Sequence, residues 1–126
     1  MGQMDLAPYS DRQSPNKIWF LKRDRGDCAI ETFLAKLDDR TLTATVQLFD
    51  RTEVKGPPHN IEKFRHLRGD VHEFKVHRAV SVRYLAFGSS IGWVIVLAER
   101  KPKAAALRRA IAEAQKLRDE YEGGAS

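Results

Sequence analysis

The chain has 126 residues, 42% of them hydrophobic, which is one domain of ordinary size with enough apolar material for a core. Its formal net charge of +5 favours an anionic partner. The longest apolar run, Trp93 to Ala98, is far short of the roughly 20 residues of a membrane span; no continuous apolar region of a signal peptide opens the chain; and the single cysteine, Cys28, excludes an internal disulfide and a cysteine-based zinc site.

A cytoplasmic protein is therefore the expectation. Residues 1–15 mix Pro, Ser, Asp and Gly without a period, and are expected to be a flexible N-terminal arm outside the fold. Residues 16–122 are read as the domain and 123–126 as a tail. Lys17 to Lys22 is a short apolar run with aromatic content, which reads as a first strand. Asp24, Gly26 and Asp27 offer turn and cap chemistry ahead of Ile30, Phe33, Leu34 and Leu37, whose spacing marks one helix face. Cys28 is expected there as a small packed hydrophobe. Asp38 and Asp39 can cap a second helix, with Leu42, Val46 and Phe49 as its apolar side, and Lys55-Gly56-Pro57-Pro58 ends it. The two helices form a hairpin that needs a sheet to cover.

Phe64 to Leu67 is a brief extended piece, with a turn signal at Gly69-Asp70. Val71 to His77, Val80 to Phe87 and Trp93 to Glu99 are strand-like and joined by short links, which forces antiparallel neighbours and a meander. From Pro102 the period becomes 3.6, with Leu107, Ala110, Ile111, Ala114, Leu117 and Tyr121 on one stripe and Gly123-Gly124 at its end. The expected fold class is α+β: N-terminal strand, helical hairpin, antiparallel meander, C-terminal helix.

Charge is not spread evenly along this order. Residues 60–103 hold nine Lys/Arg against four Asp/Glu, while the flanking segments are balanced, so the whole net charge lies here together with His66, His72 and His77. Alternation through Glu73 to His77 predicts one packed and one open strand face, with Lys75 and His77 sharing the open one. Arg83 lies just past the reversal at Ala79-Val80, and Arg100-Lys101 ends the last strand, where a meander can bring it alongside. Such a set suits a phosphodiester: guanidinium groups stabilise oxygen charge while His or Lys moves a proton. Without a metal this chemistry works on RNA, whose 2′-hydroxyl is a built-in nucleophile. Lys63, Arg65, Arg68 and Arg78 are the candidate RNA-binding cations. Glu73 is either a general base or an ion-pair partner of Lys75 or Arg83, and Arg108-Arg109 is solvent-facing or partner-binding. His72 and His77 are expected on opposite strand faces, so no metal site is expected.

In order and spacing these residues resemble the RelE/ParE toxin superfamily, closest to it the HigB toxins and their phage-derived relatives. The resemblance rests on Leu67, Gly69, Glu73-Phe74-Lys75, Val82-Arg83-Tyr84-Leu85, the strand Val94 to Leu97, Arg100-Lys101 and the alanine-rich Ala110 to Ala114. It covers about Ile18 to Tyr121. Lys75 stands where that group has Arg, Val82 where it has Tyr, and Ala98-Glu99 where it often has His or Tyr. The resemblance implies the toxin of a type II toxin-antitoxin system, a ribosome-dependent mRNA endonuclease that needs no cofactor and arrests growth. By it Arg83 is the phosphate-stabilising arginine, Lys75 and His77 the paired basic positions, and Arg100 and Lys101 the basic residues after the last strand. It also implies a cognate antitoxin, usually a helix-turn-helix protein of HigA type, through which alone operator DNA is bound. Two other uses of such a surface are carried alongside: a ParE-like, non-nuclease inhibitor of DNA gyrase, and a non-toxic nucleic-acid-binding module.

Overall fold

The computed structural model describes residues 5–22, 28–100 and 104–124. In chain order these form β1 (Asp5–Pro8), β2 (Ile18–Lys22), α1 (Ala29–Ala35), α2 (Asp39–Lys55), β3 (Phe64–Arg68), β4 (Val71–His77), β5 (Ser81–Ser89), β6 (Gly92–Arg100) and α3 (Ala104–Gly124). The class is mixed α+β, with one six-stranded sheet in the order β1-β2-β6-β5-β4-β3. Among the described residues no helix is long and apolar enough to cross a membrane.

Local chemistry sets most boundaries. Asp38 accepts from the Thr41 amide at 2.9 Å and starts α2, and Gly56 ends it with φ of 86°. The meander β3 to β6 is antiparallel throughout, as its short links require. Strand β5 runs on to Ser89, so its link to β6 is the two-residue turn Ser90-Ile91. The cap signals at Asp24, Gly26 and Asp27, and the helix-start signal at Pro102, lie outside the described residues.

Three expectations are corrected. Asp5–Pro8 is not outside the fold: it pairs antiparallel with β2, and the segment that follows is strapped to α2. Tyr9 donates to Asp50 at 2.8 Å. The Glu53 carboxylate, 1% exposed, accepts from Ser10, from Arg12 Nη1 at 2.9 Å and from the Ile18 amide at 2.7 Å. A buried carboxylate needs such donors, and the arm supplies them. Strand β2 in turn joins β6 in parallel, Ile18 opposite Trp93 and Phe20 opposite Ile95.

The second correction concerns α2. Its buried side is Thr41, Thr45, Leu48, Phe49, Thr52 and Glu53, and Val46 is exposed. The stripe is rotated toward threonines because their hydroxyls are paired, Thr45 with Tyr84 at 2.8 Å and Thr52 with the Leu48 carbonyl at 2.8 Å.

Third, the sheet is covered on both faces. Helices α1 and α2 pack on Ile18, Phe20, Phe74, Val82, Tyr84 and Ile95, with the Phe49 ring within 5.1–6.1 Å of the Tyr84, Phe74 and Phe20 rings. Ala110, Ala114 and Leu117 of α3 pack on Val71, Leu85, Phe87 and Val94 from the other side, as the α3 stripe predicts. The strand face of Lys75 and His77, expected to be open, is closed at Glu73, which is 0% exposed.

Candidate functional site

Strand alternation puts Glu73, Lys75 and His77 on the α3 side of β4. The β4–β5 register sets Lys75 opposite Arg83 and His77 opposite Ser81, and β3 sets Arg65 opposite Glu73. The residues of the α3 core lie toward the Val71, Leu85 and Phe87 end. Beyond it, Lys75, His77, Ser81 and Arg83 are half-buried or exposed.

Glu73 organises this end. Its carboxylate accepts from Arg83 Nη1 at 2.8 and 2.9 Å and pairs with Arg65 Nη2 at 2.7 Å. A buried carboxylate persists only with counter-charges and hydrogen bonds, so both guanidiniums are held in place. Arg83 is the deeper, its side chain 14% exposed against 40% for Arg65. The Nε of each is buried without a hydrogen-bond partner, so an anion would meet these guanidiniums through their more accessible terminal nitrogens. Burial, and then the charge of Arg65, hold Lys75 below the ordinary lysine range, with Glu73 opposing. His77 Nδ1 lies 2.9 Å from Ser81 Oγ, which fixes the ring while leaving it exposed.

Not every expected residue joins. A register shift between Leu85 and Ala86 leaves Val96 as the extra residue of a bulge in β6. Past it Glu99, not Arg100, lies opposite Arg83, and Arg100 lies opposite Val82, whose side chain is in the α1/α2 core. Arg100 is therefore on the other face, and Lys101 lies outside the described residues. Arg68 pairs with Val71 at the far end of the hairpin, away from Lys75. Lys63 and Arg78 instead line a groove of about 720 Å³ between α2 and the outer edge of β4, with Lys75, His77 and Arg51.

Sequence reasoning missed Arg51 and His59, which also line that groove. Ala44, Gln47, Leu48 and Arg51 share one helical stripe, a spacing that would have shown it. His72, opposite Ala86, is on the face away from His77, as expected; burial lowers its pKa, and its ring stacks on Phe64 at 5.3 Å. No family model, curated protein or solved structure matches the chain.

Proposed function

We propose that the protein is a RelE/HigB-like toxin of a type II toxin-antitoxin system, acting as a metal-independent endoribonuclease on mRNA at the ribosome. The observation that carries this reading is the grouping of Arg83, Lys75 and His77 on one accessible end of the sheet, with Arg83 anchored by buried Glu73. In the reaction the RNA 2′-hydroxyl gives its proton to a base and the 2′-oxygen attacks phosphorus. The bond to the 5′-oxygen breaks, that oxygen takes up a proton, and the products carry a 2′,3′-cyclic phosphate and a 5′-hydroxyl. Arg83 stabilises charge on the phosphoryl oxygens. His77 or Lys75 moves the protons, a role worth about 10² to 10⁴ in rate, and the depressed pKa of Lys75 makes its proton easier to release. Ribosomal RNA would complete the positioning of the message. The chain's likeness to the superfamily in residue order supports the same reading.

The test is tightly controlled induction in bacteria, wild type beside Arg83→Ala, with primer extension on abundant messages. Growth arrest with cuts inside translated codons in wild type, and neither in the variant, is the expected outcome.

One observation favours a second reading. With Glu99 opposite Arg83 and Arg100 on the other face, the end of β6 brings no cation to the site among the described residues. A ParE-like inhibitor of DNA gyrase needs no such set; arrest without cuts, with Arg83→Ala as toxic as wild type and supercoiling inhibited, would establish it. Unimpaired growth would leave a non-toxic nucleic-acid-binding module.

A further inference from the structure

The groove beside α2 is not explained by RNA cleavage. We propose that it receives an extended acidic segment of a partner protein, which adds to the sheet as a strand along the outer edge of β4 at Lys75–Arg78.

The edge is the first argument. Strand β3 pairs with β4 only from Phe64 opposite Phe74 onward, and the last link is the Lys75 amide donating to the Lys63 carbonyl at 2.9 Å. The Lys63 amide itself turns back to the Asn60 carbonyl, so the chain leaves the sheet there. Main-chain groups alternate along a strand. Those of Lys75 point to the β3 side, whereas the Arg78 amide donates inward, to Val80. The His77 amide therefore points outward, where β3 has ended. The outward His77 carbonyl accepts from Arg78 Nη1 at 3.0 Å, a side-chain contact that an incoming amide would replace, and a strand edge without a main-chain neighbour is a template for another strand.

Lining chemistry selects the occupant. Leu48, Pro58 and Val76 supply an apolar floor, while Arg51, Lys63, Lys75 and Arg78 face Glu62 as the only carboxylate of the lining. Arg51, Lys63 and Arg78 are exposed. A peptide with carboxylates on alternate residues meets these cations, sets its apolar residues on the floor, and offers the edge both main-chain donors and acceptors. Phosphate oxygens are acceptors only, so RNA could meet the outward Lys75 carbonyl only through a 2′-hydroxyl or a base, whereas a peptide main chain brings an amide to it in strand register.

The consequence for the proposed nuclease is regulation. Lys75 and His77 belong both to the cation cluster and to the groove wall, so a strand added here flanks the site and excludes RNA. That competition rests on the ribonuclease reading; the binding itself does not.

The probe is a fluorescent peptide of about six residues, an ordinary strand length, alternating Glu and Val. Controls are its Lys/Val counterpart, a copy with alternate amides N-methylated, and oligouridylate. Binding is read by anisotropy and by amide shifts in the full chain, with no cleavage measured, so failure here and failure of the nuclease reading are separate results. The acidic peptide should bind saturably and shift the Val76 and His77 amides. Affinity should fall about tenfold or more in an Arg51→Glu, Arg78→Glu variant shown by circular dichroism to fold, and N-methylation should abolish it. The proposal is overturned if the acidic peptide does not bind, if the N-methylated copy binds equally, if the Lys/Val peptide competes, or if only oligouridylate occupies the groove.

Discussion

At the scale of single residues, two buried carboxylates perform the same physical task with different results. Glu53 ties the Ser10–Ile18 segment to α2, and Glu73 ties two arginines to the sheet. Replacing Glu53 by Ala leaves the Ile18 amide without an acceptor and Arg12 with only the longer ion pair to Asp50 at 3.6 Å, and should cost about 3 kcal/mol in urea unfolding, toward the low end for a broken buried pair because Arg12 is partly exposed. Asp50→Ala, at a half-exposed position nearby, should cost under about 1 kcal/mol; equal losses would show that burial of Glu53 is not what matters. Histidine 72 gives a pH signature. Its folded pKa is below the ordinary 6.5 because burial disfavours the imidazolium, with His66 adding to this and Asp70 opposing it. The unfolded chain thus binds more protons between the two values, so stability should rise with pH through that window and be level on either side of it. The fall in urea midpoint from pH 7.5 to 5.5 should be smaller in His72→Phe, which keeps a ring against Phe64. An undiminished fall would place the titrating group elsewhere.

Elements show where the sequence could be read and where it could not. The shared face of Lys75, His77 and Arg83 was legible because a period of two and a short reversal leave a hairpin few registers. Arg65 as a partner of Glu73 was not, since it depends on the pairing of β3, which no local pattern specifies. Arg100 was misplaced for a definite reason: without the bulge at Val96 it would fall opposite Ser81 and share the face of Arg83, and one inserted residue reverses every side chain after it. The helix stripe of α2 misled because Thr41, Thr45 and Thr52 are polar by type but paired in place. At the junction of β2 and β6, Gly92 has φ of 130°, and a β-carbon there would lie 2.1 Å from the Lys17 carbonyl oxygen. That closeness lets the Trp93 amide donate to the same carbonyl at 2.8 Å. Gly92→Ala should therefore cost about 3 kcal/mol or more in thermal or urea unfolding; a variant as stable as the parent would mean that β2 does not dock on β6.

For the whole molecule, the excess charge is concentrated in residues 60–103 yet distributed by the fold to separate places. Lys75, Arg65 and Arg83 gather about Glu73, Lys63 and Arg78 line the groove beside Arg51 of α2, and Arg68 stands at the far hairpin end. Affinity for single-stranded RNA should fall steeply with salt, and Lys75→Ala should reduce the log–log slope by about 0.7, the value for one phosphate contact on a single strand. Arg68→Ala should leave the slope unchanged; a loss equal to that of Lys75→Ala would mean that RNA follows the hairpin rather than the cluster. The parallel pairing of residues 18–20 with 93–95 also sets an order of events during synthesis. Strands β1 and β2 emerge first, but the strand they lean on is the last of the six, so the sheet cannot close until most of the chain has left the exit tunnel. Contacts so distant in sequence make closure slow, and the nascent chain passes through a stage with β4 and β5 made and their final neighbours missing.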